Sequence, residues 1–507
     1  MGSSKIEKAS DPRGALVRLL GYLRPFTPTL VLVLILILVS SALGLVGPYL
    51  LGVAIDSFRD SAELLRIILI MLAVYLGGWL TQVVYGYITA TVAQKALRAL
   101  RRDLFEHLQV LSLSFFDRQP QGELMSRLTN DIDAINQALS QSAAELVTSL
   151  LSLGGILIAM FALNAWLALA TLAVFPLMVI LTLLIAKRTR KHYRKLQQNL
   201  GQLNSLMEET LSGQRVVLAF AQEEATIADF EKANVAVRDA GIQAMVYPLL
   251  IPPLMGVLSS AGIAVVAGLG GWLAIQGLAT VGTIATFITY SRRFAQPLRH
   301  LGQMYNSIQA ALAGAERVFE VIDEKPELTD TLDALPLEDI AGEVIFDHVG
   351  FSYLPGVPVL KDVSLRAEPG QTIALVGPTG AGKTTMVNLL TRFYDIQDGS
   401  IRIDGRDIRE VQKKSLRRRL GLVLQDTFLF ADTVMENIRY GRLSATDEEC
   451  VAAAKLANAD QFIQRLPQGY QTMLSERGSN ISQGQSQLLT IARAILTDPG
   501  ILILDEA

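Results

Sequence analysis

Apolar residues gather into six runs, at 30–51, 67–90, 146–163, 165–186, 247–275 and 281–300. A helix needs about 20 apolar residues to cross a hydrocarbon core of about 30 Å, so each run predicts a membrane-spanning helix. The last run is the least apolar because it carries Arg292, Arg293 and Arg299. Pro48, Pro176, Pro248, Pro252, Pro253 and Pro297 fall inside the runs and predict kinks, with neighbouring helices or water satisfying the freed carbonyls. The polar stretches between runs keep a helical period (Leu97, Leu100, Leu104 and Leu108), so the spanning helices should extend well beyond the bilayer. From 323 to 343 the chain turns acidic and proline-spaced, which reads as a linker. After it, short apolar strands (VIFDHV, TIALVG, SIRIDG, GLVLQ, ILILDE) alternate with helical stretches, predicting an α/β domain around a mainly parallel sheet.

Charge fixes the orientation. Residues 1–29, 91–140 and 187–245 hold twenty Lys and Arg, and the opposite loops hold two. Cationic loops stay in the cytoplasm, so both long loops, the N-terminus and the α/β domain are expected there, in a cell (inner) membrane. Composition agrees: 50% of the 507 residues are hydrophobic and only 18% charged, against about 25% charged in soluble domains. A net charge of −3 supplies no basic field, which argues against nucleic acid as a partner. The single cysteine, Cys450, excludes an intrachain disulfide and reads as packing. The N-terminal MGSSKIEKASDPRG has no apolar core of a signal peptide, and Ile6 breaks a myristoylation motif.

The candidate chemistry lies in the α/β part. Gly377, Pro378, Thr379, Gly380, Ala381, Gly382, Lys383 and Thr384 fit G-x-x-x-x-G-K-[ST] between a strand and a helix. In such a loop backbone N–H groups curl around phosphates, the helix N-terminus adds partial positive charge, the lysine reaches the β- and γ-phosphates and the hydroxyl of Thr384 ligates magnesium. The apolar strand 501–504 ends in Asp505 and Glu506, an arrangement in which the aspartate holds magnesium through water and the glutamate acts as general base.

Between these two motifs stands Asn480-Ile481-Ser482-Gln483-Gly484-Gln485, followed by SQLLTIARAIL, which resembles the signature and following helix of ABC ATPases. With six spans preceding the ATPase, the whole chain resembles an ABC exporter half-transporter. The resemblance implies a six-span helical transmembrane domain (30–322), preceded by a cytoplasmic segment with an elbow helix (1–29) and followed by the linker and an incomplete nucleotide-binding domain (344–507). It implies ATP and Mg2+ as cofactors, with Tyr353 stacking on adenine, Thr385 in the nucleotide site, and Gln425 linking magnesium to the membrane domain. Glu476-Arg477-Gly478 resembles the exporter-specific loop. Ser482, Gln483, Gly484 and Gln485 would hold the γ-phosphate of ATP bound to a second subunit, so a dimer is implied. Ordinary alternatives stand beside these: Tyr353 packing at a strand end, Gln425 as a strand-edge residue, Ser482 as a plain helix cap.

Two departures matter. Gln483 replaces a signature glycine and Ile481 a leucine, which suits one member of a heterodimeric pair similar to bacterial multidrug exporters. The chain as written stops one residue after Glu506, with none of His107, His192, His300 and His348 placed as the switch histidine, so poor ATP hydrolysis is expected. Phe115-Phe116-Asp117-Arg118 and the stretch from Gly213 through Arg215 to Phe220 match the family's coupling helices, or are amphipathic turns capping the bundle. Arg292 and Arg293 should either line a cavity or snorkel to the inner interface. The functions implied are export of a drug or other hydrophobic small molecule, lipid flipping, or a non-pumping ATP-gated regulator.

Overall fold

The computed structural model describes residues 9–326, 328–331, 333–475 and 478–505, with the side chains of 295 and 298–302 outside the description. It divides into two units, Met1–Leu108 with Gly122–Asp323, and Gln109–Gln121 with Glu324–Ala507.

The first unit is helical. A short helix α1 (Pro12–Leu23), started by Pro12 and capped by the Asp11 carboxylate on Gly14 N–H, precedes α2 (Thr27–Asp56) and α3 (Ser61–Leu108). The six-residue α4 (Leu113–Arg118) belongs to the second unit. The chain then rises through α5 (Gln121–Ser126), α6 (Ile132–Gln137) and α7 (Ala143–Leu163), joined by π turns at Arg127–Asp131 and Ala138–Ser142. α8 (Ala165–Leu172) and α9 (Val174–Ser212) are offset at Ala173, three residues before Pro176, where the proline ring forbids a straight continuation. α10 (Gln214–Ala219), α11 (Glu223–Ile275) and α12 (Val281–Asp323) complete the unit.

Among the described residues, five helical stretches are long and apolar enough to cross a membrane, and α12 contains the sixth run. The 48 residues of α3 extend about 70 Å at 1.5 Å per residue, more than twice the hydrocarbon thickness. Where the C-terminal end of α2 meets the N-terminal end of α12, the two helices cross at glycines. A Cβ on Gly282 would sit 2.0 Å from the Gly52 carbonyl, so neither position admits a side chain, as expected for close helix approach in lipid. The Asp56 carboxylate closes this end, accepting the Gly282 N–H at 2.8 Å and the Thr280 hydroxyl at 2.6 Å.

The second unit has two cores. One lies under an antiparallel sheet of order β2-β1-β3-β4, with β1 Val344–Phe351, β2 Leu360–Ala367, β3 Asp398–Ile403 and β4 Arg406–Asp407. Val349, Leu389 and Ile401 are completely buried in it, each worth about 1.5–3 kcal/mol of apolar transfer. β5 (Leu420–Val423) and β6 (Ile501–Leu504) form a separate parallel pair. The expectation of a mainly parallel sheet is therefore corrected: among the described residues four of the six strands pair antiparallel, because short returns join β1 to β2 and β3 to β4, while the helix-bearing segment 368–397 brings β3 back antiparallel to β1. The expected strand TIALV is also corrected. Residues 371–380 carry no ladder, and Leu375 and Val376 are exposed, because this stretch has no strand edge hydrogen-bonded to it and extended backbone without one is not a strand.

The second core is helical, built on α15 (Val434–Arg439), α16 (Asp447–Leu456), α17 (Asp460–Ile463) and α18 (Gln483–Leu496), after α13 (Lys383–Leu390) and α14 (Lys413–Arg418) in the first lobe. Cys450 is fully buried there, and burial pushes its thiol up, consistent with an inert packing role. The acidic stretch before β1 is tied down: Leu337 enters the sheet core, and the Asp404 carboxylate accepts the N–H groups of Ala341, Gly342 and Glu343 at 2.7–3.1 Å.

Candidate functional site

The phosphate-loop residues form a tight left-handed turn. Gly380 and Gly382 have φ of 84° and 88°, a region costly for other residues, and a Cβ on Gly382 would lie 2.6 Å from Leu360. Gly382 is the N-cap of α13, whose first residue is Lys383. The lysine Nζ donates to the Gly377 carbonyl at 2.8 Å and that of Pro378 at 3.3 Å, holding the ammonium against the loop. Lys383 and Asp505 line one cavity of about 440 Å³, so the structure brings the lysine and the expected magnesium aspartate together. Thr384 is exposed at the start of α13, and Gln425 stands at the surface two residues beyond β5. Glu506, Glu476 and Arg477 lie outside the described residues.

Tyr353 follows β1 and leans on α13. Its hydroxyl donates to Thr385 at 3.2 Å and accepts from the Asn388 amide at 3.2 Å. Its ring meets those of Phe351 and Tyr394 edge-on, at centroid distances of 4.8 and 5.0 Å. The Tyr394 hydroxyl in turn donates to the Asp117 carboxylate on α4, so one chain of contacts runs from α4 through Tyr394 and Tyr353 to the phosphate-loop helix. Phe115 of α4 is buried, and Phe116 lines a groove of about 1370 Å³ with Phe393 and Tyr440.

The signature residues lie on the helical lobe, away from the Lys383 cavity. Ser482 is the N-cap of α18 in a capping box: its hydroxyl accepts the Gln485 N–H at 3.3 Å, and the Gln485 side chain accepts the Ser482 N–H at 2.9 Å. Such a cap is worth about 1 kcal/mol and fixes the helix start. Ser482, Gln483 and Gly484 are all exposed at that start.

Sequence reasoning missed the brace behind the signature. Buried Asn437 accepts the Phe430 N–H at 2.9 Å and donates to the Phe430 and Thr433 carbonyls at 3.0 Å. Arg493 of α18 donates to the Asn437 and Phe428 carbonyls and lies over the rings of Phe430 and Tyr440. An arginine within the otherwise apolar TIARAIL was the available signal.

In the membrane unit a cavity of about 760 Å³ is bounded by α2, α3, α7, α12 and the turns before α7, and most of its lining is polar, including Gln82, Gln141, Glu145, Arg293 and Gln296. Proline at 48 has no N–H, so the Gly44 carbonyl four residues earlier loses its helical donor; Arg293 replaces it, donating from Nη1 at 2.6 Å. The two arginines therefore separate. Arg293 lines the cavity, whereas Arg292 is exposed and lines none of it, which corrects the expectation that treated them as a pair.

Comparison with known proteins gives a family match over both parts: residues 30–298 match the ABC transporter transmembrane region and residues 360–507 match ABC transporter. The ABC transporter ATP-binding protein YfiC of Bacillus subtilis is 43% identical over 100% of this chain and 84% of its own length. The fatty acid ABC transporter ATP-binding/permease protein of Mycobacterium bovis is 45% identical over 88% of this chain and 71% of its own. The solved structure of a bacterial Atm1-family ABC exporter with ATP bound superposes with a TM-score of 0.73 at 30% identity, covering 95% of this chain and 85% of that one.

Proposed function

The chain belongs to the ABC transporter family, as an exporter with a helical transmembrane domain followed by an ATPase domain, and on that premise we propose that it is one subunit of a dimer that drives lipids, drugs or other amphiphiles out of the cell with ATP. The observation that carries this reading is the division of the phosphate chemistry. Lys383 and Asp505 share one cavity, while the capped, exposed start of α18 lies on another lobe. Two chains placed head to tail would bring one lobe's Ser482 to the other's nucleotide. Lys383, Thr384, Gln425 and Asp505 would hold ATP and Mg2+, Tyr353 the adenine, and Glu506 would polarise the attacking water. Gln483 beside a partner's nucleotide favours a heterodimer, with the ATPase domains in the cytoplasm of a cell membrane.

Coupling would run through α4 and α10. α10 and the turn after it expose Val216, Leu218 and Phe220, an apolar tip that would dock on the ATPase domain of the second subunit. ATP-driven closure would then move the helices from inward- to outward-open. The polar membrane cavity favours amphiphiles that carry a hydrogen-bonding headgroup.

The test is ATPase activity in lipid of the gene product, expressed alone and together with a second half-transporter. Lys383→Ala and Glu506→Gln should each lower turnover at least ~100-fold, the scale of losing one electrostatic stabiliser of the transition state. Unchanged turnover in both would end the reading, and full activity without a partner chain would make the dimer homomeric. Arg293→Gln keeps an N–H donor for the Gly44 carbonyl while removing the charge; an unchanged substrate profile would remove the cavity's role in selection.

A further inference from the structure

A second cavity, edged by basic side chains, lies in the membrane unit, separate from the one lined by Arg293. It has a volume of about 430 Å³ and is lined by Phe26, Lys95, Arg98, Ala99 and Arg102. Lys95, Arg98 and Arg102 recur at i, i+3 and i+7 on α3, so they share one helical face. No carboxylate lines the cavity. Arg102 pairs to one side with Asp103 at 3.2 Å and Glu106 at 3.8 Å, whereas Lys95 and Arg98 take no ion pair among the described residues. Three cations on one face repel one another unless an anion lies among them.

The depth of the cavity identifies the anion. The apolar run of α3 ends at residue 90, so Lys95 stands about 7 Å further along the helix. Phe26 joins α1 to α2, four residues before the apolar run of α2 begins. Both therefore lie at the cytoplasmic boundary of the hydrocarbon, by the same charge distribution that orients the chain. Half-buried Phe26 supplies an apolar wall. α1 turns Ala15 and Leu19 into the protein and exposes Leu16, Val17 and Leu20, the pattern of a helix lying in a membrane interface.

We propose that this cavity binds the phosphate headgroup of an anionic phospholipid from the cytoplasmic leaflet, with Lys95, Arg98 and Arg102 on the phosphate and Phe26 against the start of the acyl chains. A water-soluble phosphate shares the charge but gains nothing from Phe26 or from the exposed face of α1. The bound lipid would tie the α1–α2 joint to α3, as a structural ligand rather than as cargo.

Native mass spectrometry of the purified chain reads this directly. In detergent it would be titrated with phosphatidylglycerol, with phosphatidylcholine of the same acyl chains, and with glycerol 3-phosphate. Phosphatidylglycerol should be retained in preference to both. Basic side chains near an anionic headgroup are worth on the order of 5-fold in affinity each, so Lys95→Gln with Arg98→Gln should weaken retention about 30-fold. Arg59→Gln, in a loop on the opposite side, should change nothing. Equal retention of the two lipids, or retention surviving the double substitution, would overturn the site. Glycerol 3-phosphate binding as tightly as phosphatidylglycerol would overturn the lipid as its source. Should the double variant not purify, Lys95→Gln alone decides at the 5-fold level, since this exposed side chain leaves the helix core intact.

Discussion

Two helices of six residues each, α4 and α10, interrupt the long helices of this chain, and they are seated in opposite ways. α4 buries Phe115, turns the edge of that ring to Phe116 at 5.5 Å between centroids, and receives the Tyr394 hydroxyl on Asp117. α10 buries nothing: Arg215, Val216, Leu218 and, just beyond its end, Phe220 are exposed. Both sequences are amphipathic and both carry the same expectation of a coupling role, so local pattern does not separate them. The difference lies in who supplies the complementary surface. For α4 it is the chain's own ATPase unit; for α10 we propose a second subunit, because three large apolar side chains at one tip are otherwise an unrelieved exposed patch.

The harshest way to break this comparison is to place a carboxylate at each apolar position. Phe115→Asp buries a charge without a partner and opens a cavity, each costing several kcal/mol. The variant should lose more than about 10 °C of melting temperature or fail to accumulate, at roughly 4 °C or less per kcal/mol in a domain of this size. Phe220→Asp, on an exposed side chain, should melt within about 2 °C of wild type. Equal losses in a thermal scan of the two variants would erase the distinction between seated and unseated helices.

The second effect sharpens the comparison from the partner's side. An aromatic at the centre of an interface contributes about 2–4 kcal/mol by truncation. Phe220→Asp should therefore weaken association of the subunits at least ~30-fold and abolish substrate stimulation of ATPase activity, even though the chain stays folded. Mass photometry of the co-expressed pair measures the first and ATPase assays the second. Undiminished dimer together with undiminished stimulation would mean that α10 merely caps the bundle.

How far such features were legible beforehand follows from how local they are. The six runs, the clustering of Lys and Arg in alternate loops, the phosphate loop and the Ser482 cap depend on residues within a turn or two of one another, and their patterns are in the sequence. The strand expected at 372–376 depends on a neighbouring edge to pair with, which no local pattern encodes. Arg293 combines both cases: Pro48 announces an orphaned carbonyl at Gly44, but the donor arrives from 249 positions away. The Asp404 clasp on residues 341–343 and the Asn437–Arg493 brace are equally non-local, and they were unreadable for that reason.

The smallest effect tests whether α4 does more than sit. Tyr394→Phe removes one hydroxyl while keeping the ring that packs on Tyr353 and Phe351, so the melting temperature should hardly move. What is lost is the hydrogen bond to the Asp117 carboxylate, worth about 1 kcal/mol at a partly exposed position, or about 5-fold. If motion passes between the nucleotide site and α4 through this contact, the 5-fold should appear in substrate stimulation of ATPase activity and leave basal turnover alone. A purely structural contact would instead lower both together, or neither. Asp117→Asn separates the two further, because an amide still accepts from the Tyr394 hydroxyl: it should retain most of the stimulation that Tyr394→Phe loses. A loss as large in Asp117→Asn would place the effect in the charge of α4 and not in the hydrogen bond.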